Sequence, residues 1–138
     1  MIVVVIPAKG TSTRLPNKNL ALVAGRPLLD HAVGYARQCS RVDAMFVSTD
    51  SDEIAAHAAT LGVGVIRRPS SLGGDVPLLD VYRHALGQIP RSERVSTLIG
   101  LQPDHPDRTV SLDEALDAFE KEGVDPRSTS LETSRSSA

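Results

Sequence analysis

Three cations lie close together in a stretch that follows the first predicted strand. The stretch covers residues 7–19, reads PAKGTSTRLPNKN, contains Lys9, Arg14 and Lys18, and has no acidic residue. A loop with a glycine and several cations, at the carboxyl end of a buried strand, can bring backbone amides and ammonium groups to a polyphosphate. The Walker lysine spacing and the dinucleotide glycine pattern are both missing, so those two phosphate-binding motifs are excluded. Composition alone is equally compatible with a solvated basic loop.

The elements that would position this loop alternate between short apolar runs and helical patterns. This alternation predicts an α/β fold of βαβ units around a mainly parallel sheet. The predicted strands cover residues 2–6, 44–47, 63–66 and 95–101. The first strand contains no polar residue and is expected to be buried on both faces. Helix starts are predicted at Pro27, at Ser51, at Pro77 and at a capping box formed by Ser111 and Glu114.

Two loops of this fold are expected to face each other. If the predicted strands lie in the order 3-2-1-4, the loops after strands 1 and 4 line one crevice at the switch point of the sheet. The second of these loops contains His105 between two prolines. His105 is a candidate for contact with an anionic acceptor or for general-base catalysis. Three arginines follow strands on the same predicted edge: Arg67, Arg68 and Arg108. They are candidate ligands for the carboxylate or phosphonate of an acceptor. Solvated charges are the equally weighted alternative.

Helical spacing also predicts which residues are buried. The third predicted helix, 77–89, places its apolar side chains on one face that packs on the sheet. These side chains are Leu78, Leu79, Tyr82, Ala85, Leu86 and Ile89. The histidines at 31, 57 and 84 occupy non-core positions of predicted helices and are expected at the surface.

Composition excludes several classes of protein. The chain has 138 residues, 41% apolar and 23% charged, which predicts one globular domain over 1–123 and a Ser/Thr-rich, poorly ordered tail over 124–138. A single cysteine, Cys39, excludes an internal disulfide framework and suits a reducing cytoplasm. No apolar run is long enough to span a membrane. A net charge of −2 and 3% aromatic residues argue against binding to nucleic acid.

Four segments occur in a fixed order: IPAKGTSTRLPNKN, VSTDSDEIAAHAATLGV, RRPSSLGGD and IGLQPDHPDRT. The first resembles a motif of the form I-P-A-R-G-G-S-K-x-I-P-x-K-N, and the others resemble V-S-T-D-x-x-x-I-A, R-P-x-x-L-A-x-D and L-L-Q-P-T-S-P-x-R-T. These are motifs of the acylneuraminate cytidylyltransferase family, which includes CMP-sialic acid synthetases and, more loosely, CMP-Kdo synthetases. The resemblance extends over residues 2–123. It implies a three-layer αβα, Rossmann-like fold of the nucleotide-diphospho-sugar transferase type.

The resemblance also implies roles for individual residues. It places the following residues along the CTP phosphates: Lys9, Ser12, Arg14 and Lys18. The three cations among them are the implied catalytic residues, because they would stabilise charge on the leaving group. Asn19 would approach the nucleoside, and Gln102 would face the acceptor sugar. Asp75 is expected to cap the third helix, with a ribose or base contact as the alternative.

A metal ligand is implied in the loop after the fourth strand. The LQPDHP sequence is closer here to the Kdo branch, whose Q-G-D-E-P loop supplies a metal-binding aspartate. Asp104 is therefore the expected Mg²⁺ ligand, because Mg²⁺ needs only one or two carboxylates when phosphates and waters complete its octahedron. A loop-capping role for Asp104 is the alternative. Asp50, which ends the second strand, is expected to orient a loop rather than to bind metal.

The chain departs from the family pattern at several positions. Lys9 replaces the motif arginine, while Thr11 and Thr13 replace its second glycine and its lysine. Lysine cannot form the bidentate phosphate contact of arginine, so looser or differently oriented triphosphate binding is expected. The family's dimerisation hairpin and paired metal-binding aspartates would lie beyond this sequence. A homodimer is left open, and the chain is expected to be a fragment, a shortened relative or an inactive relative.

The function predicted from these observations is cytoplasmic, CTP-dependent transfer of CMP to a small acidic acceptor, with release of pyrophosphate. By resemblance the acceptor is a sugar acid such as a nonulosonic acid or Kdo, and a small phosphonate is another candidate. A catalytically inactive nucleotide-binding fragment or module of the same family is the alternative. A guanylyltransferase or glycosyltransferase of the same sheet type is a third hypothesis.

Overall fold

The computed structural model describes residues 1–10, 22–23, 25–69, 78–102, 112–121 and 130–132. Its strands are β1 (Ile2–Pro7), β2 (Leu22–Val23), β3 (Arg26–Pro27), β4 (Ala44–Thr49), β5 (Gly64–Arg67), β6 (Thr97–Gly100) and β7 (Ser130–Glu132). Its helices are α1 (Leu28–Arg37), α2 (Asp52–Thr60), α3 (Leu78–Gln88) and α4 (Leu112–Lys121), with a 3-10 turn over Ser92–Arg94. None of the helices described is both long enough and apolar enough to cross a lipid bilayer.

The main sheet has the order β5-β4-β1-β6-β7, and all of its neighbouring strands are parallel. The predicted order of the first four strands is therefore confirmed. The central strand β1 pairs with β4 on one side, where Val5 lies opposite Phe46, and with β6 on the other, where Val5 lies opposite Gly100. The chain passes from β1 out to β5 and then returns across the sheet to β6. The switch point consequently lies between β1 and β6.

Helices cover both faces of the sheet, as the predicted three-layer αβα architecture requires. Successive side chains of β1 point to opposite faces, so Val4 and Ile6 pack on one side and Val3 and Val5 on the other. The first face packs against the following buried side chains of α1, α2 and α4: Leu29, Ala32, Val33, Ala36, Ile54, Ala58, Leu112 and Leu116. The second face packs against Tyr82 and Ala85 of α3 and against Ile89.

Helix α2 begins where the sequence predicts, after Ser51. The Ser51 side chain accepts a hydrogen bond from the Ile54 amide at 3.3 Å. Asp52 and Glu53 lie in the first turn, where negative charge opposes the positive end of the helix dipole. Gly62 follows the helix with a φ of +78°, a left-handed conformation that glycine adopts without the steric cost of a Cβ.

The buried face of α3 differs from the prediction at two positions. Leu79 and Leu86 are 53% and 37% exposed, and Val81 is buried instead. The reason is the position of Tyr82, whose ring packs so closely over Gly100 that a Cβ at residue 100 would overlap it. This contact sets the rotation of the helix about its axis. The side chain of Leu78 lies outside the residues described.

Two short pairings have no counterpart among the predicted elements. Strands β2 and β3 form an antiparallel pair, in which Leu22 lies opposite Pro27. Strand β7, within the segment predicted to be a poorly ordered tail, pairs in parallel with β6, with Leu131 opposite Ile99. Ser111 of the predicted capping box lies outside the residues described.

The helical histidines, expected at the surface, are half-buried instead. His57 Nε2 of α2 lies 2.5 Å from Asp30 Oδ1 of α1, so this contact links the two helices. The Nδ1 atom of His84 is buried and has no hydrogen-bond partner among the residues described. Positions beside the apolar stripe of a helix are covered where neighbouring elements pack closely, which the spacing of one helix does not reveal.

Candidate functional site

The candidate site is the edge formed by the carboxyl ends of the parallel strands. The stretch 7–19, which we call the basic loop, begins at this edge with the last residue of β1, and Lys9 is half-buried there. The amide of Leu101 donates to the carbonyl oxygen of Val5 at 3.0 Å, so the chain after β6 stays beside β1 up to the same edge. Gln102, also half-buried, follows directly. Lys9 and Gln102 therefore leave the sheet from adjacent strands at the switch point.

The start of the basic loop is held by the end of β4. The Ala8 amide donates to the carbonyl oxygen of Ser48 at 2.8 Å, which extends the pairing of β1 with β4 by one residue. The Gly10 amide then donates to Asp50 Oδ1, also at 2.8 Å. Asp50 thus orients a loop, as the sequence predicts, and the loop it orients is the basic loop.

The end of β5 is attached to the same segment of β4. The Arg68 amide donates to the carbonyl oxygen of Thr49 at 2.9 Å, and Arg68 Nη2 lies 3.4 Å from the carbonyl oxygen of Ser48. The Arg68 side chain is buried, with only 7% of the residue exposed. Burial lowers the pKa of the Arg68 guanidinium, and the negative charge of Asp50 acts in the opposite direction. Arg68 is accordingly a buried cation of the site and not a solvated charge.

Arg67 has a different environment from its neighbour. Its Nη2 atom lies 2.7 Å from Asp52 Oδ1 in the first turn of α2, and both side chains are at least half exposed. An exposed ion pair of this kind contributes little to stability. The candidate contact of Arg67 with an acceptor thus competes with its ion pair with Asp52.

One buried polar atom stands out beside Arg68. The hydroxyl of Ser48 is fully buried, and its Oγ has no hydrogen-bond partner among the residues described. Leaving such a group unsatisfied costs free energy.

Of the predicted site residues, the structure places two, Lys9 and Gln102, and brings them to the same edge. The others lie outside the residues described: Ser12, Arg14, Lys18, Asn19, Asp75, Asp104, His105 and Arg108. Their roles stay predictions. Sequence reasoning missed the burial of Arg68 beside Asp50, although each directly follows a strand of the sheet and polar residues there are typical of a site at a sheet edge.

The residues described contain no cluster of metal-ligating side chains. No group of three histidine, cysteine, aspartate or glutamate side chains comes together within the described ranges. The carboxylate of Asp50 lies at the right edge of the sheet, but it already accepts the Gly10 amide. The expected ligand, Asp104, lies outside these ranges.

A search against family models matches residues 3–125 to the family described as cytidylyltransferase. The chain belongs to the cytidylyltransferase family. The resemblance inferred from the four motifs is therefore confirmed, and the match covers both strands that form the switch point.

Two named proteins illustrate the sequence similarity of this cytidylyltransferase-family chain to its relatives. It is 36% identical over 110 residues to a 3-deoxy-manno-octulosonate cytidylyltransferase of Anaeromyxobacter sp. strain Fw109-5, with 71% of this chain and 45% of the relative covered. It is 47% identical over 64 residues to a CMP-N,N'-diacetyllegionaminic acid synthase of Legionella pneumophila, with 46% of this chain and 28% of the relative covered.

The fold of the family is also shared. A solved structure of CMP:2-keto-3-deoxy-manno-octonic acid synthetase in complex with CTP superposes with a TM-score of 0.73 at 24% identity, covering 91% of this chain and 48% of that one. At this identity the likeness confirms the Rossmann-like α/β fold. The chain spans less than half the length of these relatives.

Proposed function

We propose that this chain binds CTP at the carboxyl edge of β1 and β6 and transfers CMP to a small acidic acceptor, releasing pyrophosphate. One observation carries the proposal. The basic loop leaves a cytidylyltransferase-family sheet at its switch point, directly beside the segment that begins with Gln102. A cation-rich loop at this position of an α/β sheet is suited to a triphosphate.

In the proposed reaction a hydroxyl oxygen of the acceptor attacks the α-phosphorus of CTP, and the hydroxyl proton passes to a general base, for which His105 is the candidate. A new oxygen–phosphorus bond forms, the bond between the α-phosphorus and the oxygen bridging to the β-phosphate breaks, and pyrophosphate leaves with the electron pair. The chain's task is to orient the phosphates and to stabilise the charge that develops on the leaving group. Lys9, Arg14 and Lys18 would do this from the basic loop. A Mg²⁺ ion held through Asp104 would supply further neutralisation of charge at the phosphates.

The proposed acceptor is a sugar acid such as Kdo or a nonulosonic acid. The relatives named above carry an octulosonate or a legionaminic acid in their names, which supports an anionic sugar. Gln102 would face this acceptor, with His105 and Arg108 close to it and Asn19 near the nucleoside. A small phosphonate is the second acceptor class to be tested.

The test is release of pyrophosphate from CTP in the presence of Mg²⁺ and a panel of acceptors. The panel contains Kdo, a nonulosonic acid, a small phosphonate and a neutral sugar as the control. We expect turnover with at least one acid and none with the neutral sugar. If the chain binds CTP but releases no pyrophosphate with any acceptor, it is an inactive nucleotide-binding module instead.

A further inference from the structure

Three strand ends are connected in series at the candidate site. The end of β5 is attached to the end of β4 through two hydrogen bonds of Arg68, one from its amide and one from its guanidinium. The end of β4 is attached to the basic loop through the carboxylate of Asp50, which accepts the Gly10 amide at 2.8 Å. This last bond joins residues 40 positions apart and is partly buried. It lies where the basic loop begins.

We propose that Asp50 is a positioning residue for triphosphate binding, which fixes the conformation of the basic loop by holding the amide of Gly10. The inference rests on the proposed function and goes beyond it, because the role proposed for Asp50 is to hold the loop and not to bind the nucleotide. A carboxylate is suited to this task because a hydrogen bond to a charged acceptor is stronger than one to a neutral acceptor. The chain after Gly10 then begins at a fixed position and runs in a fixed direction.

A carboxylate beside a triphosphate site needs its charge balanced. An isolated negative charge at this edge would repel the phosphates and weaken their binding. The buried guanidinium of Arg68 lies close enough to Asp50 for the two charges to interact. Arg68 therefore offsets the charge of Asp50 from outside the basic loop.

The same hydrogen bond determines which backbone amides are available to a ligand. The Gly10 amide is already engaged by Asp50, so it does not donate to a phosphate oxygen while that bond is kept. Any amide of the basic loop that binds the triphosphate is therefore one other than that of Gly10. Asp50 therefore holds the loop at Gly10, between Lys9 and the two later cations of the loop, Arg14 and Lys18.

The test compares Asp50→Ala, Asp50→Asn and Asp43→Ala in the full chain. Asp43 is a matched control because its carboxylate also accepts a backbone amide of the β1 region, that of Ile2 at 2.6 Å, but at the opposite end of the strand. The dissociation constant for CTP is measured by calorimetry, and kcat and KM are measured with the acceptor that the parent uses. Amide hydrogen exchange at Gly10 is measured without nucleotide.

We expect Asp50→Ala to weaken CTP binding about tenfold, since it removes a charge-assisted hydrogen bond that orders the loop. Its kcat at saturating CTP should stay within about twofold of the parent, because the phosphate ligands themselves are intact. Asp50→Asn, which keeps an acceptor oxygen, should recover most of the loss. Asp43→Ala should bind CTP like the parent. Exchange at Gly10 should accelerate in Asp50→Ala only.

Three results would overturn the inference while leaving the proposed function intact. They are parent-like CTP binding by Asp50→Ala, an equal loss of binding in Asp43→Ala, and failure of Asp50→Asn to recover any binding. A parent chain that binds no CTP would overturn the proposed function and, with it, this inference. The two failures are therefore distinguishable.

Discussion

At the scale of single residues, the proposed activity depends on cations that reach the triphosphate. Lys9 occupies the point where β1 ends, and its half-buried position beside the switch point is consistent with a role at the phosphates. Lysine offers a point charge on a flexible stem and not the planar fork of arginine. Binding through this loop should therefore depend on several cations acting together.

Lys18→Ala is expected to weaken CTP binding roughly ten- to a hundredfold, because a hydrogen bond to a charged group contributes about 1.5–3 kcal/mol. Lys121→Ala is the control, since Lys121 ends α4, outside the basic loop. A lysine outside the phosphate-binding loop has no assigned contact with the nucleotide, so this variant should bind as the parent does. Calorimetric titration with CTP checks both. Equal affinities for all three proteins would remove the basic loop from the phosphate site.

Asp104→Asn is expected to abolish Mg²⁺-dependent release of pyrophosphate while leaving the fold intact. Asparagine keeps the size and most of the hydrogen bonding of aspartate but removes the charge that Mg²⁺ prefers. Turnover of parent and variant is compared at several Mg²⁺ concentrations, with thermal unfolding as the check on folding. A variant as active as the parent would instead support the loop-capping role of Asp104.

Some residues of the site could be identified from the sequence, and others could not. Lys9 and Gln102 could be identified because they occur in motifs that directly follow apolar strands. The bond between Asp50 and Gly10 could not, because a contact between a side chain and an amide 40 residues away leaves no periodic signal in either segment. The burial of Arg68 has the same origin, since it depends on how the ends of β4 and β5 meet.

At the scale of elements, the sequence predicted the features that depend on interactions between residues close together in the chain. The apolar run of β1 and the serine cap of α2 are present because burial and capping act within a few residues. The β2–β3 pair and β7 were missed because strands of two or three residues are too short to show alternation. Strand β7 in addition depends on the free edge of β6, which only the folded sheet provides.

The buried face of α3 shows how a tertiary contact can change the set of buried residues that helical spacing predicts. Leu79 and Leu86 fit the predicted stripe, but the packing of Tyr82 over Gly100 turns them outward and turns Val81 inward. The absence of a side chain at residue 100 is therefore what lets α3 approach the sheet closely.

Gly100→Ala is expected to lower the free energy of unfolding by about 1–3 kcal/mol, because the added Cβ overlaps the buried Tyr82 ring. Gly87→Ala is the matched control within α3, where the added methyl group meets nothing within 4 Å. It should stabilise the protein by about 0.5–1 kcal/mol, since alanine is the better helix former. Urea unfolding of both variants measures the difference. A stable Gly100→Ala variant would show that Tyr82 does not set the position of α3.

At the scale of the whole molecule, the strand order and the position of the site at the switch point follow from the βαβ pattern and the family's motif order. We expect CTP to stabilise the chain against thermal unfolding more than ATP or GTP does. Ligand stabilisation follows RT ln(1 + [L]/Kd), which is about 2.7 kcal/mol at a hundredfold excess over Kd. Equal shifts with the three nucleotides would contradict a cytidine preference, and a larger shift with GTP would favour a guanylyltransferase.

The central position of β1 also has a consequence for synthesis on the ribosome. The apolar strand Ile2–Pro7 is translated before one of its two partners, β6, because Thr97, which pairs with Ile2, follows about 95 residues later. At roughly 5–20 residues per second, this strand keeps an open edge for about 5–20 s. During that interval its unpaired amides and valine side chains are available to other nascent chains. A holdase that shields β1 during translation should therefore raise the yield of folded protein more than one that acts after release.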